Sequence, residues 1–127
     1  MNILGIFLGV VLNFIVARVW YGVLFNDLWR YLTDRTPDEK PDKIQMLVAV
    51  FFAFLMSFGA NIMVSALGIT TYSMAVIGGL IFGFMFIAPV ILSEWIWDKK
   101  NFVLVSINAG FYVLYFVLMF LMFVFIS

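Results

Sequence analysis

The sequence predicts an all-α fold, a four-transmembrane-helix bundle with both termini on the non-cytoplasmic side. Hydrophobic residues make up 66% of the chain and charged residues only 11%. Nearly all the charge falls in two short stretches, residues 26–43 and 98–100. Around them lie four apolar runs, about 3–25, 44–67, 73–97 and 102–126. Each is long enough for a hydrocarbon core that takes ~20 residues of helix to cross. A soluble core of four helices apolar all round would have no chain left to cover it. Barrel strands would alternate polar and apolar residues, which FVLMFLMFVFIS at 116–127 does not. The whole chain therefore reads as a single integral membrane domain.

The first run lacks a basic start, is long, and has no small-x-small site before aromatic residues resume. It is expected to be a span and not a cleavable signal. Small residues recur at every fourth position as Gly5, Gly9, Asn13 and Ala17. Helices in lipid associate by close packing and interhelical hydrogen bonds, so such a stripe marks a packing face. Trp20 and Tyr21 end the run as interfacial anchors, joined by Trp29 in the connection that follows.

That connection, 26–43, opens with NDLWRYL, which is amphipathic and expected to lie among headgroups with Leu28, Trp29 and Leu32 turned to lipid. Thr36, Pro37 and Glu39 form a helix-start signal at capping-box spacing, and Pro41 is placed to open the second span. The second run carries the stripe Ala49, Ala53, Ser57, Asn61 and Ser65. The third carries Ala75, Gly79 and Gly83, with Gly78 alongside. These stripes are expected to form the bundle interior, a subunit interface, or both. Pro89 lacks the amide that would bond the Met85 carbonyl, so the third span should bend or loosen there. Trp95 and Trp97 anchor its end. The fourth run offers one small-residue contact, Ser106 to Gly110, and then Leu, Met, Phe and Val through Phe125. It reads as mainly lipid-facing, its phenylalanines in contact with acyl chains. Gly5 and Gly9 before Trp20 resemble Gly79 and Gly83 before Trp95, a weak sign of a duplicated two-helix unit.

Orientation follows from the connections. The first carries Arg30, Arg35, Lys40 and Lys43, the third carries Lys99 and Lys100, and the second, near 68–72, carries no charge. The first and third share a side in a four-span bundle, and the positive-inside rule makes that side cytoplasmic. Such asymmetry also argues against insertion both ways up.

Arg18 and Glu94 are the charges within spans, each costing ~2.5–3.5 kcal/mol at the bilayer centre and less near an end. Their similar depth suggests an ion pair; the alternative is that each reaches the surface separately. Asn13, Asn61 and Asn108 are expected to face other helices, as hydrogen-bonding partners or as the lining of a path. Asn13, Arg18, Glu94 and Asn108 thus form the candidate intramembrane polar site.

Histidine and cysteine are absent. This excludes histidine-ligated haem, Cys/His zinc, iron–sulfur clusters, thiol redox relays and Ser–His hydrolysis. No catalytic residue, metal or cofactor is expected. A net charge of zero gives no case for nucleic acid.

VWYGVLFNDLW at 19–29 and GFMFIAPVILSEWIWDKKNFVLVSINAGFYVL at 83–114, with the length and four-span layout, resemble the small bacterial membrane proteins grouped as domain of unknown function 1761. The most specific parts are the Trp20–Tyr21 pair and the Asn108–Ala109–Gly110 step followed by Phe111 and Tyr112. Phe111 stands where many members are expected to carry tyrosine. The resemblance implies the fold and a bacterial inner-membrane address, and it adds no mechanism. It makes Trp20, Tyr21, Asn108 and Gly110 candidates for a shared site or for tight packing. Function is expected in one of two classes, ahead of a membrane enzyme for which only Glu94 and the acids of the first connection could serve. The first is a structural or partner-binding subunit in the lipid bilayer, as a homo-oligomer or with another membrane protein. The alternative is an oligomeric transporter or channel for a small solute or ion.

Overall fold

The computed structural model describes residues 3–33 and 42–126. The helix-start signal at Thr36, Pro37 and Glu39, the role of Pro41, and Arg35 and Lys40 lie outside them. The first span is α1 (Ile3–Val19) continued by a π-helical turn (Trp20–Leu24). A short helix, α2 (Asn26–Thr33), follows it. The second span is α3 (Lys43–Ala66). The third is α4 (Tyr72–Leu80), a π-helical segment (Ile81–Ile87) and α5 (Ala88–Trp97), and the fourth is α6 (Phe102–Ile126). Four helices, Ile3–Leu24, Lys43–Ala66, Tyr72–Trp97 and Phe102–Ile126, are long and apolar enough to cross a membrane.

Local chemistry accounts for the boundaries. Asp42 accepts from Gln45 N at 2.7 Å while the Gln45 side chain accepts from Asp42 N, a reciprocal cap that starts α3. The Thr71 hydroxyl caps α4 by accepting from Met74 N, and Asn101 accepts from Val103 N and Leu104 N at the head of α6. Gly68 ends the second span with φ 65°, a conformation that favours glycine. In the third span the amide of Ala88 bonds the Gly83 carbonyl, five residues back, immediately before Pro89. The loosening expected at Pro89 is thus a widened turn on its N-terminal side.

The fourth span is the hub. Spans one and two pack on each other and on α6, whereas span three packs chiefly on α6. Val105, Ile107, Ala109, Phe111, Tyr115, Phe116, Met119, Phe120 and Phe123 of α6 are all buried. The expectation of a lipid-facing fourth helix is therefore overturned, and with it the assignment of these phenylalanines to acyl chains. The reason is shape. Small residues on spans one and three let α6 come close: Gly5 adjoins Phe123 and Ile126, Gly78 adjoins Phe120, and Gly79 and Gly83 adjoin the backbone at Val117 and Val113. Tyr115 and Met119 are fully buried and Phe120 is 1% exposed. Acyl chains are as apolar as phenylalanine, so what holds the ring inside is contact density, ~0.1–0.2 kcal/mol per atom pair summed over dozens of pairs.

Where the stripes meet α6 the backbones come close. A Cβ added at Gly79 would lie 2.5 Å from Val117 Cα, and one at Gly83 2.7 Å from Val113 Cα. Only glycine permits span three to sit this near.

Candidate functional site

The most constrained polar cluster lies where the end of the first span meets α6, at the same end of the bundle as α2 and the 98–101 turn. This is the charged end. The π-helical turn that closes span one, marked by Phe25 N–H bonding the Trp20 carbonyl, holds more residues per turn than an α-helix. Two successive side chains can then address one neighbouring helix. Trp20 Nε1 donates to the Ile107 carbonyl at 2.9 Å, and the Tyr21 hydroxyl donates to Asn108 Oδ1 at 2.7 Å. Residues 87 apart in sequence are thereby fastened twice.

Glycine makes room for this. A Cβ at Gly110 would lie 2.9 Å from the Trp20 ring. Around the pair the aromatic rings pack closely: Tyr21 lies 5.5 Å from Trp29 and 5.4 Å from Phe111, and Trp20 lies 4.8 Å from Phe25. Trp20, Tyr21, Asn108 and Gly110 are thus brought together. Trp29 is half-buried, its ring against Tyr21, and does not face lipid alone. Trp95 and Trp97 are 49% and 80% exposed at the same end, with Trp95 edge-on to Phe102.

Deeper in the bundle, hydroxyl groups close on backbone carbonyls. Tyr115 donates to the Gly9 carbonyl at 2.8 Å, and Ser57 donates to the Ile6 carbonyl at 2.7 Å. The Asn13 side chain lies beside the Tyr115 hydroxyl. Gly9 abuts Ser57 so closely that a Cβ there would overlap its hydroxyl, and one at Gly5 would meet Phe123 and Ile126. Gly5, Gly9, Ala53, Ser57, Asn61, Gly79 and Gly83 are all buried. Asn61 is 4% exposed, and its Nδ2 has no hydrogen-bond partner among the described residues. Tyr115 went unnoticed in the sequence. A tyrosine in mid-span needs a partner for its hydroxyl, and that was the signal that could have found it.

Arg18, Glu94, Asn13 and Asn108 do not converge. The Glu94 carboxylate accepts from Lys100 Nζ at 3.0 Å, both side chains being substantially exposed, and Arg18 is exposed elsewhere. The Arg18–Glu94 ion pair is not formed. Similar depth does not put two residues on facing sides: span three lies against α6, and Arg18 lies on the outer face of span one. The pairing holds the Lys100 ammonium above the ordinary lysine range, through the hydrogen bond first and the carboxylate charge second.

Residues 4–124 match the family model described as "Protein of unknown function (DUF1761)". The chain belongs to the DUF1761 family. No curated protein and no solved structure matches it. Membership covers all four spans and both halves of the Trp20–Tyr21 and Asn108–Gly110 junction. Together, the family and the four apolar helices make this a membrane protein.

Proposed function

We propose that this protein is a structural or partner-binding subunit of the bacterial inner membrane, acting by lateral association, with itself or with another membrane protein. The observation that carries the reading is how four hydrogen-bond donors within spans one, two and four are used. Trp20, Tyr21, Ser57 and Tyr115 each donate to an acceptor inside the same chain, and three of the four acceptors are backbone carbonyls. A hydroxyl ending on a helical carbonyl stiffens the bundle and offers no onward site for a solute or proton. Spans one to three meanwhile turn long apolar faces outward, such as Leu4, Phe7 and Val11 on the first and Phe84, Met85 and Phe86 on the third. The bulk of the loop lysine and arginine lies at the charged end, which supports placing that end in the cytoplasm.

The chain has no cysteine, so single cysteines can be introduced on a clean background. Cysteines at Val11, Phe51, Ile77 and Phe84 scan the outward faces of the first three spans. Disulfide or bis-maleimide crosslinking in native membranes should give a dimer or a heavier adduct from one face and not from the others. Monomer from every position, with a monodisperse monomer in mild detergent, overturns the reading.

Transport is the second reading, favoured by the π-helical segment Ile81–Ile87 beside Pro89, since broken helices accompany solute sites in transporters. Flux of protons, halides or cationic dyes in proteoliposomes, abolished by Glu94→Gln, would establish it in place of the first.

A further inference from the structure

Arg18 stands out among the charges of the spans. The exposed residues of α1 include Leu4, Leu8, Val11 and Ile15, spaced three or four apart, and Arg18 is the next position of that stripe. A guanidinium therefore sits on the face turned to lipid, six residues inside the end of the first span at Leu24. Glu94, the carboxylate of comparable depth, is engaged by Lys100, and among the described residues Arg18 makes no ion pair. One helical turn farther along the same stripe is Gly22. Among the described residues, and apart from its own stretch of backbone, a Cβ placed there would meet one heavy atom within 4 Å, Arg18 Cγ at 3.9 Å. Glycine thus leaves a notch beside the arginine stem, on the side of the charged end, the direction in which long cationic side chains bring their heads to the interface.

We propose that Arg18 and the Gly22 notch bind the phosphodiester headgroup of an anionic phospholipid in the leaflet at the charged end of the bundle. The chemistry is that of a planar, permanently charged donor set meeting two phosphate oxygens side by side. The surroundings favour a lipid over the carboxylate of a second protein. Val11 and Ile15, 53% and 55% exposed, continue the stripe toward the membrane interior, and Val19 and Val23 flank it. A phospholipid supplies at once an acyl chain for this apolar strip and an anion for its cationic end. The polar rim of a protein interface is missing from these residues.

Native mass spectrometry of the detergent-purified full chain, titrated with phosphatidylglycerol, phosphatidylcholine or diacylglycerol, tests this. One phosphatidylglycerol should be retained preferentially and diacylglycerol should not. Arg18→Gln should weaken retention about tenfold, the weight of one charge-assisted pair. Arg18→Lys should restore part of it. Gly22→Leu fills the notch while keeping the charge and has room to fold, and it should weaken retention comparably. Lys99→Gln, a charge change at the same end, should leave it unchanged. An unaltered melting temperature in lipid-free detergent shows that each variant is folded.

Equal retention by wild type and Arg18→Gln overturns the proposal, as does equal retention of diacylglycerol and phosphatidylglycerol. Displacement of the lipid by millimolar inorganic phosphate would mean a free-anion site instead. A dimer that dissociates on Arg18→Gln, with lipid retention unchanged, would assign the guanidinium to a carboxylate of a second copy. The lipid result does not depend on self-association, so the two readings fail separately.

Discussion

The third and fourth spans have nearly the same length and the same mean hydropathy of 2.5, yet they are used in opposite ways. In the fourth, 39% of the apolar window is buried, against 22% in the third. The third carries its small residues in one stripe and lays that stripe on α6, leaving Phe84, Met85 and Val90 to lipid. The fourth has bulk nearly all round and is gripped by three neighbours. In a bilayer, greasiness does not distinguish inside from outside, because the solvent is greasy too. What distinguishes them is whether a side chain finds a complementary surface, which the small residues of the first and third spans provide where they meet α6.

The contrast can be broken most severely at the contact itself. Gly79→Leu would drive a side chain into the Val117 backbone, where neither helix can yield without separating. A loss of ~3 kcal/mol or more is expected, read as a lowered midpoint in SDS titration of detergent-solubilised protein. Gly59→Leu is the matched control. A Cβ there meets nothing within 4 Å, and the midpoint should stay within ~0.5 kcal/mol of wild type. If both variants lose equally, close approach is not what joins the spans.

A second comparison deletes a ring from each span. Phe120 is 1% exposed on α6 and Phe84 is 67% exposed on the third span. Phe120→Ala leaves a cavity and should cost ~2–3 kcal/mol, while Phe84→Ala should change stability by less than ~0.5 kcal/mol. Equal effects would mean that burial in this bundle carries no energetic weight.

The hydrogen bonds that tie α6 to the first span should matter less. Tyr21→Phe or Tyr115→Phe removes one interhelical donor each, for which ~0.6 kcal/mol is expected, rising toward ~1.7 in a favourable site. Tyr21→Phe should also loosen the charged end locally, read as faster amide exchange at residues 20–25 with little change at Gly9.

The smallest effect is expected where the two spans are joined. The Glu94–Lys100 pair is exposed and screened by salt. Its sign is nevertheless determined. The lysine pKa is raised in the folded protein, so the contribution is fully present below the unfolded lysine pKa and fades as pH rises through the elevated one. Melting curves of wild type and Lys100→Met should differ slightly at neutral pH and coincide only once the pH has passed the elevated lysine pKa.

Much of this was readable from residues alone. The four spans follow from length and hydropathy. The capping box read from the sequence is Thr36 to Glu39, outside the described residues, and the Asp42-to-Gln45 cap that starts α3 is not singled out there. Trp20, Tyr21, Asn108 and Gly110 could be singled out as a pattern, although nothing local says that the first two reach the third and fourth. Their meeting needs a π-helical turn, which no periodicity announced. Arg18 and Glu94 illustrate the opposite failure. Counting residues along a helix gives depth to within a turn, but the angle around the axis matters only once neighbours are known. Span three lies against span four, so the inferred ion pair had no shared interface in which to form.

Composition along the chain settles which segments enter oil and which residues would anchor them at its surface, because those are properties of each segment against its solvent. The partner of each helix, and hence the burial of Phe120 and the outward position of Arg18, comes from fitting four surfaces together. That fit depends on shapes contributed by all four spans at once, and no single segment contains it.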